Sequence, residues 1–385
     1  MELKGYKRPD GRVGFRNHVL ILPTVMCSVS VAHSISQEIP GTITVPNDSG
    51  CLLLGRDKEI YGRTLVNTAG NPNVAATLVI GLGCELFSAE QIAEQIERFG
   101  KPVRHLTIHQ VGGTINTVNQ GVSIAQQLVT EASTLEMEAA TVADLVVGLE
   151  CGGSDPASGL TANSALGVAV DRIVDEGGSA IIGETEECVG AEMLMAANAK
   201  TEAVGERIQE VVKRTEHRLS MYGIDLTSEQ PIPVNIQAGI STLEEKSLGC
   251  LRKIGTRPIV EVLEYSEIPN QKGPILMDTP SFDALSVTGF VASGCQVIVF
   301  TTGVGNPFGT AVTPVVKVLS NTPAYNRMRD NTDINAGTIL EGTETVEEVG
   351  EQMYNMIVQV ANGQQTKAEI LGDNQFAVWR TTTQA

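Results

Sequence analysis

Three apolar, β-branched runs each end in a cysteine: VLILPTVMCS (19–28) at Cys27, TLVIGLGCE (77–85) at Cys84 and DLVVGLECGGSD (144–155) at Cys151. Thiols at the carboxyl ends of parallel strands lie on the edge where open α/β sheets take their ligands. A fourth, Cys51, sits in the polar turn PNDSGCLLLGRD (46–57). Cys27, Cys51, Cys84 and Cys151 therefore form a candidate metal rim, and iron, as Fe2+ or an iron–sulfur cluster, suits such soft donors. Taken singly, each cysteine also fits as a small buried hydrophobe. There is no CxxC pair, so zinc-ribbon spacing is unsupported.

Acid–base candidates lie further along the chain. GETEECVGAEMLM (183–195) follows a strand and offers Glu184 and Glu187, either of which becomes a general base if burial raises its pKa. Acidic residues also favour the first turn of a helix, which accounts for Glu186 and Glu192. In AGISTLEEKSLGCLRKIG (238–255), Ser241 or Thr242 can cap a helix, with Glu244 or Glu245 closing a capping box. That places Lys246 in a first turn, where the helix dipole disfavours a cation and an anionic partner or an acid–base role is indicated. Among five histidines, His109 in IHQVGGT is the best placed.

Two segments suit an anionic, polyhydroxylated ligand. GYKRPDGRVGFRNHV (5–19) gathers Arg12 and Arg16, with Asn17 beside them, and guanidinium groups bind carboxylates bidentately. In GLECGGSDPASGLTANSALG (148–167), Gly152 and Gly153 permit close backbone approach. Ser154, Asp155, Ser158 and Asn163 add polar groups, and a helix starting near residues 158–162 aims free N–H groups at an anion. Neither GxxxxGK[ST] nor a GxGxxG after a strand is present.

Buried strands are expected at 19–25, 43–46, 77–82, 144–149, 178–183, 258–263 and 296–302. Amphipathic helices are expected at 89–100, 121–136 and 191–223, the last broken near Gly205. Their alternation predicts an α/β fold of largely parallel sheets with flanking helices, in two α/β domains spanning 1–138 and 139–385. LTSEQPIPVNIQ (226–237) reads as a loop. A net charge of −18 excludes a nucleic-acid surface and requires a local cationic pocket for any acidic substrate. No signal peptide and no membrane span are read, and seven cysteines in a leaderless chain fit reduced thiols, so a cytoplasmic protein is expected.

The blocks GYKRPDGRVGFRNHVLILPTVMC, GLGCE, GLECGGSDPASGLTAN, ETEECVGAE, STLEEKSLG, FTTGVGNPFG (300–309) and NTDINAG (331–337) resemble, in order, the catalytic portion of the altronate/galactarate dehydratase family. The resemblance runs from residue 5 to about 340. It implies a hydro-lyase that removes water from a sugar acid to give a 2-keto-3-deoxy acid, with iron as cofactor. Applied to this chain, Cys27, Cys84 and Cys151, with Cys51 nearby, would hold iron. Arg12, Arg16 and Lys246 would hold the carboxylate, and Glu184, Glu187 or His109 would be the base. Longer members carry an N-terminal SAF domain before this region. The core motif here begins at Gly5, which implies a separate small SAF-domain subunit and an oligomer. The (2R)-sulfolactate sulfo-lyase large subunit shares that split layout but lacks the cysteine after the first strand, so Cys27 favours a dehydratase. Val304 and Asn47 depart from the family's Arg and His, and the approach to STLEEKSLG is shortened around 235–239. These departures leave the sugar acid open and keep a non-catalytic, metal-holding scaffold subunit as the contrasting expectation.

Overall fold

The computed structural model describes residues 2–381. Its centre is two all-parallel sheets with helices on their faces, an α/β fold of the expected kind. A four-stranded sheet runs in the order Thr42–Thr44, His18–Pro23, Val74–Gly81, Val103–Thr107. A seven-stranded sheet runs Glu261–Leu263, Pro274–Met277, Ser179–Ile182, Val146–Gly152, Val297–Thr302, Val315–Leu319, Ile334–Asn335. Val74–Gly81 is buried along its whole length, the expected state of a parallel strand covered on both faces. Val103–Thr107 escaped sequence detection because, as an edge strand, it carries two successive exposed polar residues, Arg104 and His105. Pro274–Met277, Val315–Leu319 and Ile334–Asn335 are short or flanked by polar turns.

Helix ends follow local chemistry. The first of the expected amphipathic helices runs Ala89–Ile96, capped by a reciprocal Ser88–Gln91 box, and ends through a tight turn at Gly100, whose φ is 67°. The helix expected at 121–136 starts earlier, at Thr114, and stops at Ser133. The long helical stretch breaks at residues 198–201 rather than at Gly205, because Thr201 accepts a hydrogen bond from Val204 N–H and starts a new helix, Glu202–Ser220. Gly205 lies inside that helix, close to Ala196. The segment 226–237 holds two short helices, Leu226–Glu229 and Pro233–Ala238. Among the described residues no helix is long and apolar enough to cross a membrane.

One apolar cluster occupies the space between the sheets. Leu20, Leu22 and Val79 from the four-stranded sheet join Ile181, Ile275, Ile298 and Phe300 from the seven-stranded one, together with Phe376, Val378 and Trp379. The chain's two ends also cross over. Leu3–Lys7 pairs antiparallel with Glu138–Ala140. Residues 374–381 lie along the N-terminal unit, where Asn374 Nδ2 donates to Thr44 O at 2.9 Å and Thr381 N–H to Asp57 Oδ1 at 2.6 Å.

Arg16 belongs to this crossing. Its guanidinium donates to both Glu369 oxygens, at 2.8 and 3.0 Å, and to the carbonyls of Val360 at 2.8 Å and Gln364 at 3.0 Å. Arg16→Ala is therefore expected to cost about 1.5–3 kcal/mol of stability, the range for hydrogen bonds to charged groups. Urea unfolding would show the loss, and substrate affinity should not change. A raised KM at unchanged stability would restore a role in substrate binding.

Candidate functional site

Three elements of the C-terminal half converge at the carboxyl edge of the seven-stranded sheet. Strand Val146–Gly152 delivers Cys151, which is buried. The adjacent strand Ser179–Ile182 runs into a 3-10 turn, Thr185–Cys188, entered through Glu184 with φ 63°. A left-handed glutamate is costly backbone, the kind that persists where surroundings over-determine it. Here it turns Glu184 Oε2 toward the Cys151 N–H at 3.1 Å. The third element, helix Leu243–Leu251, is capped by Thr242 accepting from Glu245 N–H.

Lys246, Cys250 and Lys253 follow at spacings of four and three, one face of the helix and its continuing turn. The Cys250 thiol donates to Glu187 Oε2 at 2.7 Å, and the Cys151 thiol to the same oxygen at 3.1 Å. The two sulfurs are 3.4 Å apart. Lys253 Nζ lies 2.9 Å from Cys151 Sγ and pairs with Glu184. Lys246 Nζ is 3.1 Å from Glu187 Oε1 and donates to Gln230 Oε1 at 2.9 Å. The first-turn Lys246 thus has, in Glu187, the anionic partner that its sequence setting called for.

The two carboxyls, three residues apart, titrate in opposite directions. Burial, and then the charge of Glu187, push Glu184 from 4.5 up to about 8, outweighing Lys253. Its Oε1 is buried without a hydrogen-bond partner among the described residues. Burial acts on Glu187 too, but Lys246 and Lys253 overcome it and hold that carboxylate at about 2. The folded chain thus binds the Glu184 proton more tightly than the unfolded chain does. Stability from this group is complete below 4.5 and is lost as pH rises toward 8. Glu187 contributes stability above 4.5 that is lost as pH falls toward 2. Glu184→Gln should flatten the decline of melting temperature on the alkaline side, and equal slopes for wild type and variant across that window would refute the assignment.

Beside this network a cavity of about 300 Å³ opens, lined by Ser154, Asp155, Ser158, Asn163, Lys246, Cys250 and Arg252 among others. Most of its polar wall is internally committed. Asp155 Oδ1 accepts from Ser158 N–H at 2.9 Å, Ser158 Oγ at 2.7 Å and Ser320 Oγ at 2.7 Å, while Asn321 Nδ2 reaches its Oδ2 at 3.0 Å. Asn163 accepts from Thr301 at 2.6 Å and donates to Gly249 O at 3.1 Å. These residues shape the cavity, and its charged groups with freedom to act are Lys246 and Arg252. The Arg252 guanidinium is exposed and has no partner among the described residues.

Cys151, Glu187 and Cys250 bring three ligand atoms within 4.8 Å of one another, which no other such group does among the described residues. By distance the triad can hold a metal ion. By charge it is already satisfied, since Lys253 touches Cys151 and Lys246 touches Glu187. Two ammonium groups in contact with the donors fill the electrostatic place of a divalent cation.

The remaining sequence candidates lie elsewhere. Arg12 is bound to Asp10 and donates to Gly70 O at 2.7 Å, and Asn17 donates to Ala132 O at 2.8 Å. With Arg16 they tie the fold together, and none lines this cavity. The four expected thiols do not share one rim. Cys151 is buried in the seven-stranded sheet, whereas Cys27, Cys51 and Cys84 are exposed beyond the strands of the other sheet. His109, exposed, stands with those three, next to Gly83. Cys250, Arg252 and Lys253 were missed. The signal for them was the 246–250–253 helical spacing, hidden because a lysine–cysteine–lysine face resembles an ordinary amphipathic stripe.

Two family models match the chain: "D-galactarate dehydratase/Altronate hydrolase, second domain" over residues 5–133 and "D-galactarate/Altronate dehydratase, C-terminal" over residues 142–384. The chain is 38% identical over 387 residues to the (2R)-sulfolactate sulfo-lyase subunit beta of Chromohalobacter salexigens, covering 99% of both chains. It is 33% identical to the altronate dehydratase of Bacillus subtilis, covering 98% of this chain and 77% of that one. It is 35% identical to the galactarate dehydratase (L-threo-forming) of Escherichia coli, covering 98% and 76%.

Proposed function

Because this chain belongs to the D-galactarate/altronate dehydratase family, we propose that it is the catalytic chain of a lyase that eliminates water from a small sugar acid. The observation that carries this reading is the pair of carboxyls displaced in opposite directions behind the cationic cavity. Environments that push paired groups apart mark an acid and a base.

Dehydration of a 2,3-dihydroxy acid breaks the C2–H bond, expels the 3-hydroxyl with a proton as water, and leaves an enol that tautomerises to the 2-keto acid. In this scheme Arg252 holds the substrate carboxylate with its planar fork. Lys246 turns toward the substrate's oxygens and stabilises the charge that grows on them. Its departure from Glu187 removes the counter-charge that kept that carboxylate weakly basic, so Glu187 gains basicity when substrate binds and takes the C2 proton. Glu184 holds a proton near neutral pH, the supply that a departing hydroxide needs. His109 has no part in this scheme, because it lies on the other sheet. Iron is implied by the family resemblance alone, and the lysines in contact with Cys151 and Glu187 leave no step here that depends on it.

A second reading has its own support. The sulfo-lyase subunit matches this chain end to end at 38% identity, against 33–35% for the two dehydratases described, so Cys27 does not decide between the branches. Loss of sulfite from sulfolactate uses the same carboxylate anchor and base but needs no proton donor. In both readings the chain works with a separate small subunit of SAF type, in keeping with a relative named as one subunit of its enzyme.

The deciding experiment supplies the purified chain, co-produced with such a subunit, with altronate, galactarate and sulfolactate, and assays 2-keto acid and sulfite. A 2-keto-3-deoxy acid from a sugar acid is expected. Sulfite from sulfolactate alone would transfer the assignment to the second reading. Turnover of none of the three by the folded complex would leave a scaffold subunit.

A further inference from the structure

We propose that Cys151 and Cys250 are a redox-modifiable pair, which peroxide converts to an intramolecular disulfide that disarms the lyase cavity until a thiol reductant reopens it. Their sulfurs stand 3.4 Å apart, already in contact, although 99 positions separate them in the chain. Strand Val146–Gly152 holds one and helix Leu243–Leu251 the other, so the approach is made by regular elements and not by a loop. Two glycines let the helix come this close. A Cβ on Gly159 would fall 2.8 Å from the Cα of Gly249, the residue before Cys250.

Access runs through the cavity. Cys250 is part of its wall, whereas Cys151 is buried outside that lining. Peroxide, little larger than water, fits a space of about 300 Å³ and meets Cys250 first. Hydrogen bonding to Cys250 and then burial raise the Cys151 thiol. Cys250, lowered by that same bond, is raised on balance by burial and by Glu187. The thiolate is the nucleophile, so each proton has to be taken where it stands. Glu187 Oε2 is placed for both, 2.7 Å from Cys250 Sγ and 3.1 Å from Cys151 Sγ. Lys253 Nζ, 2.9 Å from Cys151 Sγ, favours the negative charge that develops there.

Atoms and electrons balance over two steps. The Cys250 sulfur attacks one peroxide oxygen. The S–O bond forms, the O–O bond breaks, and the thiol proton passes through Glu187 to the departing hydroxide, which leaves as water. Cys151 then attacks the sulfenic sulfur of Cys250. The S–S bond forms, the S–O bond breaks, and the second proton and hydroxide leave as a second water. The two sulfurs give up two electrons, and the peroxide takes them. The new bond removes both thiol donors from Glu187 and draws Cys250 toward the strand. Lys246, one turn earlier on the same helix face, is drawn with it. The base and the cation of the cavity are thus altered together.

The modification holds for any substrate, and only its effect on turnover rests on the function proposed above. The full chain, treated with hydrogen peroxide, denatured with an alkylating reagent and digested, should yield Cys151 and Cys250 in one linked peptide pair. That pair should be lighter by two hydrogens and should separate in dithiothreitol. Turnover of whichever sugar acid or sulfolactate the reduced enzyme accepts should fall by about 10²-fold as the link forms, the loss of a displaced base, and should return on reduction. Cys250→Ser should leave Cys151 open to alkylation after the same treatment. Three maps would each overturn the proposal: both thiols unlinked after the exposed Cys27, Cys51 and Cys84 have reacted, Cys250 driven to sulfinic acid beside an unreacted Cys151, or an oxygen bridge from Cys151 to Lys253, which raises the mass instead. A complete link with turnover unchanged would overturn it as well. A reduced enzyme that turns over none of the three substrates would count against the proposed function alone, and the peptide map would still decide the link.

Discussion

Lys246→Met is expected to lower kcat by about 10²- to 10⁴-fold, the range that one positioned acid–base or charge-stabilising group supplies. Two roles are removed at once. The cavity loses the ammonium that meets developing charge, and Glu187 loses the counter-ion whose withdrawal sets its basicity. Lys246→Arg keeps the charge but not the compact point geometry, and should recover only part of the activity. Arg252→Met behaves differently, since an exposed anchor acts on ground state and transition state alike. It should raise KM with kcat nearly unchanged. Steady-state kinetics on both variants separate the roles, and a Lys246→Met enzyme with only an elevated KM would show that Lys246 merely binds.

Lys246 was legible in the sequence, and the reason is physical. A cation in a helix's first turn opposes the dipole, so its anionic partner had to come from somewhere. Glu187 was legible as the polar end of a buried strand. Cys250 and Lys253 were not, because their partners lie 63 to 102 residues away, on or just beyond other strands, and strand order cannot be read from one chain. The same blindness grouped Cys151 with Cys27, Cys51 and Cys84. Cys27, Cys84 and Cys151 follow similar apolar runs, but two different sheets make those runs buried. Arg12 and Arg16 misled for the opposite reason. A basic cluster in an acidic chain suits an anion, yet Glu369 and backbone carbonyls had already claimed Arg16.

Lys253→Met is expected to be among the most destabilising substitutions in the chain. Lys253 and Glu184 are each about 1% exposed, and above pH 8, where Glu184 is ionised, removing one partner of a buried pair costs about 3–5 kcal/mol because the other charge is stranded. The desolvated Cys151 thiol also loses its nearest cation. The double variant Lys253→Met/Glu184→Gln strands no charge and should regain most of the loss, which gives the interaction energy as a double-mutant cycle. Chemical denaturation of the four proteins measures it. A single variant within about 0.5 kcal/mol of wild type, the level of an ordinary surface change, would show the pair to be inconsequential.

The crossing of the chain's two ends bears on how the molecule is made. Phe376, Val378 and Trp379 fill a core whose first members are Leu20 and Leu22, so that core stays open until residue 379 has left the ribosome. Contacts spanning some 350 positions are reached late and raise the entropic barrier to closure. The earliest segments therefore wait with apolar surface uncovered, the state in which chains of this size meet chaperones or aggregate. A chain cut short before residue 374 would be stopped at that exposed stage rather than becoming a smaller enzyme.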